Sequence, residues 1–331
     1  VTDPPPDIAA LAESRSQARA ARDWAEADRL KAEIEAAGWR VLDRGLRSSL
    51  FAAAPADVID AGRVRYGSVG AVPSRLADPA TAVATVIVRA TDEAPFMARL
   101  LDGLRAHAPT STQVLVIADA VSVEVEALLA EPDGPAARAI GGWLPEIVWT
   151  AAPFGAAGAT DAGLRRSLGA VAIVLAPSVE LTGDALTPLV RALDDPTVAV
   201  AGPWGLVSSD LRRWDPAGPG DVDAIAWSAI AFRRDDLIAR GPLDPAFRSA
   251  SYLDVWWSLV LRDGVGDDPP RRAVALPALP IVRHDPPPGP DPLSDRQIRL
   301  DKRAFYRVLG RFGGRTDLLA AGRSGRGLRT P

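Results

Sequence analysis

An α/β fold is predicted for this 331-residue chain: a Rossmann-like, mostly parallel sheet flanked by helices, with a small N-terminal helical hairpin. Three observations predict it. From residue 83 onward, short apolar runs alternate with helical patterns, the signature of a doubly wound sheet. Residues 171–175, Val-Ala-Ile-Val-Leu, read as a buried strand that runs into a polar loop at 176–181 and then a helix. Near the N-terminus, Trp24, Ala27, Leu30, Ile34 and Ala37 recur every three or four residues, an amphipathic stripe.

In chain order, residues 7–37 read as two helices. Asp23 is placed as an N-cap with Glu26 three residues on, and Gly38 as the stop. Trp39–Leu42 suggests a short strand, with a turn at Asp43-Arg44-Gly45. Residues 53–80 are rich in Ala, Pro and Gly and read as a linker. Strands are then predicted at 83–88, 114–118, 147–150, 171–175 and 197–201, with helices at 94–107, 122–130, 158–168 and 184–194. The second half is less regular. It offers a strand at 229–232, a helix at 254–262, short strands at 273–276 and 279–282, and a last helix capped by Ser294. The expected division is a hairpin module over 1–52, a linker over 53–80, the main domain over 81–313 and a flexible tail over 314–331.

Composition excludes several function classes. Hydrophobic residues make up 47% and charged residues 24%, as in ordinary globular domains. The net charge of −4 argues against a general nucleic-acid binder. There is no cysteine, so no disulfide, thiolate nucleophile or Cys-ligated metal is available. No apolar run reaches membrane-spanning length and no signal-peptide core is seen, so a cytoplasmic protein is expected. Lysine occurs only at 31 and 302 while Arg and Ala abound, a bias that suggests a GC-rich bacterial genome.

Ligands of open α/β sheets bind beyond the carboxyl ends of the strands, so the loops at 89–93, 118–122, 151–157 and 176–181 carry the functional reading. Over roughly 82–313 these loops, in order, resemble those of the family-2 glycosyltransferases of the GT-A fold, and more narrowly the rhamnosyltransferase-like members. Arg89-Ala90-Thr91-Asp92-Glu93 stands where the family has Pro-Thr-Tyr-Asn-Glu, and Ala118-Asp119-Ala120-Val121 where it has Asp-Asp-Gly-Ser. Phe154–Gly163 is similar to its Gly-x-Ala-x-Ala-Arg-Asn-x-Gly segment. Leu175–Leu181 matches Leu-Asn-Pro-Asp-Val-Glu-Leu, but Ala176 and Ser178 replace the polar residues of a degenerate Asp-x-Asp motif. Asp184 to Pro203, Gly241–Phe247 and Leu253-Asp254 continue the order.

The resemblance implies a nucleoside-diphosphate sugar as donor and an acceptor hydroxyl attacked with inversion. Ala90, Asp92, Glu93, Asp119, Gly155, Asp161 and Ser178 would then line the nucleotide-sugar site, with Asp119 on the pyrimidine ring and Asp254 as the catalytic base. Glu180 and His284 would hold Mg²⁺ or Mn²⁺ with the donor diphosphate; metal-independent chemistry is an equal expectation. The bland readings stay open: a turn residue at Asp119, a helix cap at Asp254, a solvated Glu180, a His284 bonded to a loop carbonyl. Arg233 and Arg234 face phosphate or solvent, and one of Trp256 and Trp257 is expected outside the core. The losses at 118, 176, 178 and 253 keep a second class open, an inactive scaffold on the same fold. Residues 14–43 are similar to the C-terminal helical region of cysteinyl-tRNA synthetases, which suggests a docking module for a protein partner or a second copy of the chain and, as a third reading, a tRNA-associated factor.

Overall fold

The computed structural model describes residues 4–44, 47–60, 62–90, 92–264, 268–284 and 294–320. The chain divides into two compact units, Val1–Val58 and Ile59–Pro331.

The first unit contains α1 (Pro6–Ala20), α2 (Trp24–Ala36), and an antiparallel hairpin of β1 (Trp39–Arg44) and β2 (Arg47–Ala52). Asp23 caps α2 by accepting from the Glu26 N–H, and Gly38 leaves the helix at φ +80°, a left-handed turn that suits glycine. Ile8, Ile34 and Trp39 form the small core. Ala27, Leu30 and Ile34 are buried as their spacing predicts, but Trp24, in the first turn, is 58% exposed. The hairpin is tied to α1 by the buried Arg15, whose guanidinium donates to both carboxylate oxygens of Asp43 at 3.0 and 2.9 Å.

The second unit begins within β3 (Val58–Asp60) and runs through β4 (Arg63–Tyr66), β5 (Ala82–Ala90), α3 (Ala94–His107), β6 (Thr112–Ala118), α4 (Val123–Ala130), β7 (Glu146–Thr150), α5 (Gly155–Arg166) and β8 (Gly169–Leu175). It continues with β9 (Val179–Leu181), α6 (Leu186–Ala192), β10 (Val198–Gly202), β11 (Gly205–Val207), β12 (Asp215–Ala217), β13 (Gly220–Val222), β14 (Ala224–Ile225) and β15 (Ala229–Arg233). It ends with α7 (Arg234–Arg240), α8 (Leu253–Arg262), β16 (Arg272–Ala275), β17 (Ile281–Arg283) and α9 (Asp295–Phe312).

Ten strands form one sheet in the order β13-β16-β10-β15-β8-β5-β6-β7-β4-β3. The centre, β8-β5-β6-β7-β4, is parallel, and β15 enters antiparallel beside β8. Both faces are covered, which is why β6 is buried along its whole length and reads as an unbroken apolar run. Alternation decides the faces of β5: Ile87 joins the core under α5 and α8, while Val86 and Val88 join the core under α3, α4 and α6.

Four expectations are corrected. The supposed linker at 53–80 contributes β4, which pairs in parallel with β7 through Arg65 and Trp149, and Val72 is fully buried. Its Ala/Pro/Gly composition hid this because arginine side chains hold it. Arg165 donates to the Val72 carbonyl, and the buried Arg234 donates to those of Arg75 and Asp78. Arg233 likewise donates to the carbonyls of Leu193, Asp195 and Val198, so neither residue of the Arg233-Arg234 pair faces a phosphate site. Trp256 and Trp257 are both buried, against Phe247 and Phe312 and against Phe232, respectively. The predicted tail is packed through residue 320: Leu318 and Leu319 are buried, and Ala320 donates to Asp223. Residues 321–331 lie outside the described residues, as do Gly45, Thr91 and the Asp285–Pro288 stretch beside His284.

Candidate functional site

The strand order turns at β5: β6 continues the sheet on one side and β8 on the other, so a crevice is expected beyond their carboxyl ends. The ends are Ala90, Ala118 and Leu175. Ala90 is buried, while Asp92 and Glu93 are exposed where α3 begins. Asp92 accepts from the Ser122 N–H at 2.8 Å and so ties this loop to the start of α4.

Asp119 does something other than the resemblance implies. Its side chain is fully buried, and its oxygens accept from the N–H groups of Phe154 (2.5 Å) and Gly155 (3.1 Å) and from Arg89 Nε (2.9 Å). Three donors therefore occupy the carboxylate that was to read a pyrimidine ring. The N-terminus of α5 is closed as well. Ala156 and Ala157 donate to the carbonyls of Arg248 and Phe247 at 2.9 and 3.0 Å. Gly155 is needed for this approach, at φ +77° and with room for a Cβ only 2.9 Å from the Arg248 oxygen. Its smallness serves the close approach of the 247–248 segment. Asp161, on the same helix, is buried and accepts from the Leu243 N–H at 2.9 Å, which anchors the start of that segment. Burial pushes its carboxyl up to about 7, against the opposing pull of that hydrogen bond and of Arg165. Asp119, Gly155 and Asp161 thus form one internal bracket between α5 and residues 243–248.

A second group of residues converges at the end of β8. The loop Ala176-Pro177-Ser178 turns through a Val179 N–H to Ala176 carbonyl bond of 3.0 Å. β9 then pairs with β17 in a register that sets Glu180 opposite Val282. The next register position brings the His284 N–H onto the Ser178 carbonyl at 2.8 Å, and His284 Nε2 lies 2.6 Å from Glu180 Oε2. Arg99, from α3, approaches the same oxygen at 3.7 Å, and the Arg283 guanidinium sits over the Trp204 ring at 5.4 Å.

Asp254 is connected to this corner through backbone. Its carboxyl accepts from the N–H of Val255 at 2.8 Å and from that of Trp227. The neighbouring Ser228 carbonyl receives the Ala176 N–H at 2.9 Å, and the Ala226 N–H reaches the Trp204 carbonyl at 2.9 Å. The turn 226–228 therefore holds the candidate base, the Ala-Pro-Ser loop and Trp204 together. Asp254 lies in the first turn of α8, which follows Tyr252 in a left-handed conformation at φ +59°. Burial pushes its carboxyl up to about 6, with the surrounding N–H groups holding it from rising further. A carboxylate so placed is half-protonated near pH 6 and can take a proton at neutral pH.

Ser178, Glu180 and His284 meet at the end of β8, Asp254 is linked to their loop through the turn 226–228, and Asp119, Gly155 and Asp161 share hydrogen bonds around α5. Arg99, Trp204 and Trp227 were not foreseen; the only signal was a tryptophan immediately beyond a strand end and another just before a strand start. A cavity of about 330 Å³ lies elsewhere, lined by Arg63, Tyr66, Glu146, Trp149 and Arg166. It lies along β4 and β7, where Arg166 already pairs with Glu146 at 2.6 Å, and shares no lining residue with this site.

For a divalent cation, Glu180 and His284 offer one oxygen and one nitrogen. Among the described residues, no group of three or more His, Asp or Glu could hold a metal. In the structure these two atoms, Glu180 Oε2 and His284 Nε2, bond to each other at 2.6 Å, so they would have to part to take an ion, whose other ligands would be phosphate oxygens and water.

No protein-family model matches the chain, and no curated protein does. Solved structures do resemble it. A structure of GalNAc-T7 with UDP, GalNAc and Mn²⁺ superposes with a TM-score of 0.56 at 13% identity, over 71% of this chain and 49% of that one. The chain therefore spans about half of that protein's length. The mannosyltransferase PcManGT from Pyrobaculum calidifontis, with GDP-Man and Mn²⁺, gives 0.47 at 17% identity over 80% of this chain and 81% of that one. S. aureus TarS 1–349 with UDP gives 0.47 at 10% identity over 69% and 65%. The likeness to GalNAc-T7 establishes the architecture as GT-A-like. No helix among the described residues is long and apolar enough to cross a membrane.

Proposed function

We propose that this chain binds a nucleoside-diphosphate sugar beyond the carboxyl ends of β5 and β8 and transfers the sugar to an acceptor hydroxyl with inversion. The observation that carries this reading is Asp254: a half-buried carboxylate, raised to about 6, that is hydrogen-bonded to the turn which also holds the Ala176–Ser178 loop. Asp254 takes the hydroxyl proton as the acceptor oxygen bonds to the anomeric carbon. The bond from that carbon to the diphosphate breaks, and the electron pair leaves with the diphosphate. Arg99 and Arg283 supply positive charge on the leaving-group side. A divalent ion on Glu180 and His284 would add to that neutralisation when bound.

The single most direct test is calorimetric titration of UDP-, GDP- and dTDP-sugars with and without Mn²⁺, on wild type and Asp254→Asn. Donor binding that survives in the variant while transfer is lost supports a base at Asp254. No donor binding under any condition sinks the proposal. A second reading, a non-catalytic binding protein on the same fold, draws on the closed α5 N-terminus and the occupied Asp119. It requires that donor binding, where found, leads to no turnover with any acceptor.

A further inference from the structure

The outward face of α9 is strongly charged. The helix carries six cations (Arg296, Arg299, Lys302, Arg303, Arg307 and Arg311) and two carboxylates, a local net charge of +4 in a chain of net −4. Its inner face, Ala304, Val308 and Phe312, is buried in the core, which fixes the orientation. Five arginines at 296, 299, 303, 307 and 311 follow one another at three- and four-residue steps, so they form one line about 22 Å long on the exposed side. Arg307 pairs with Asp244, and Arg311 lies over the Trp256 ring at 5.1 Å. Arg296, Arg299, Lys302 and Arg303 are exposed, with no carboxylate partner among the described residues. Along one edge of the line, Ile298 and Tyr306 are 50% and 59% exposed. The sequence beyond residue 320 adds Arg323, Arg326 and Arg329 and no acid.

We propose that α9 docks this protein on an anionic lipid surface. Unpaired cations in line complement a negatively charged leaflet, and exposed apolar groups at the edge gain from the headgroup–acyl boundary, where a nucleic-acid backbone would offer them nothing. The helix lies flat on its own core, so it can rest on a membrane without spanning it. The same helix contacts the segment leading to Asp254: Phe305 meets Tyr252 edge-on at 5.7 Å, and Ser249 bonds Asp301. Docking would then present the proposed acceptor side to the lipid. That last step rests on the transfer reading; docking itself does not.

The test is co-sedimentation of the full chain, without substrate, with phosphatidylcholine vesicles carrying about 30% phosphatidylserine, at about 0.15 M salt. Wild type should pellet with these vesicles, should not pellet with pure phosphatidylcholine, and should be released by high salt. Reversal of three exposed cations, Arg296→Glu, Arg299→Glu and Arg303→Glu together, should weaken binding by about 100-fold or more. A control with the same change in net charge, Arg138→Glu, Arg212→Glu and Arg213→Glu, should bind as wild type does. Ile298→Ser with Tyr306→Ser should weaken binding without changing its salt dependence. Absence of wild-type binding, equal binding by the α9 triple variant, or equal loss in the control each overturns the proposal. So does tighter binding to RNA or duplex DNA than to vesicles. Because no sugar donor is present, failure here leaves the transfer reading untouched.

Discussion

Asp161→Asn should make the fold less sensitive to rising pH, and its size follows from burial. Asp161 is 7% exposed, accepts from the Leu243 N–H at 2.9 Å, and has its carboxyl raised from 3.8 to about 7. A carboxyl raised on folding binds more protons in the native than in the unfolded chain between those values, so its contribution falls as pH rises through about 7. Three units at 1.36 kcal/mol each give a full penalty of about 4 kcal/mol, of which about 2–3 develops between about pH 5 and about pH 8. Asparagine keeps the acceptor for Leu243 and cannot ionise. It leaves one extra buried N–H, a pH-independent cost of about 1–3 kcal/mol. Urea unfolding of wild type and variant at both pH values isolates the effect, because every other titrating group is common to the two chains. The difference in stability between variant and wild type should move by about 2–3 kcal/mol in the variant's favour from about pH 5 to about pH 8. A difference flat within about 0.5 kcal/mol would refute the claim that burial controls this carboxyl.

Asp254→Asn should lower transfer at least about 100-fold while leaving the unfolding transition in place, as measured by turnover and thermal melting. Wild-type turnover should rise with pH through about 6, since the base works only when ionised, and a pH–rate profile flat across that range would count against it. Gly155→Ala should cost about 1–3 kcal/mol, read by urea unfolding, because φ is +77° and the new Cβ would meet the Arg248 carbonyl. Asp43→Ala should destabilise the first unit by about 1–3 kcal/mol by leaving the Arg15 guanidinium unpaired. The Arg15 hydrogen bond holds the Asp43 carboxyl well below the usual carboxylate range, so this contribution is present above the ordinary carboxylate pKa and is lost as pH falls through the lowered value.

What the sequence could show was set by local pattern. The helix read at 94–107 is α3 to the residue, because its apolar spacing is uninterrupted and Pro95 and His107 mark its ends. The strands at the sheet centre stood out because both faces are buried. The pieces that escaped are held by distant partners. β4 depends on β7, β9 on β17, and the β11–β14 region on pairings within a stretch that mixes Gly, Pro and charge. The same limit governs the site. A carboxylate just past a strand looks identical in sequence whether it faces a ligand or the next helix. At Asp119 the decision was made by Phe154 and Gly155, 35 and 36 residues on. Glu180 and His284, 104 residues apart, could be linked only through resemblance, and the β9–β17 register sets them side by side.

The turn at 226–228 gives the site a physical linkage that no single residue reveals. Its Trp227 N–H stabilises the charged form of Asp254, and its Ser228 carbonyl holds Ala176 of the loop beside the proposed diphosphate position. Under the proposed function, a substitution that breaks the Ala176–Ser228 bond should also loosen the seat of Trp227, and loss of that N–H would leave burial of Asp254 less opposed and raise its pKa. Serine at 178 offers no carboxylate to a cation, but this contact between loop and turn does not need one, because it runs through the main chain.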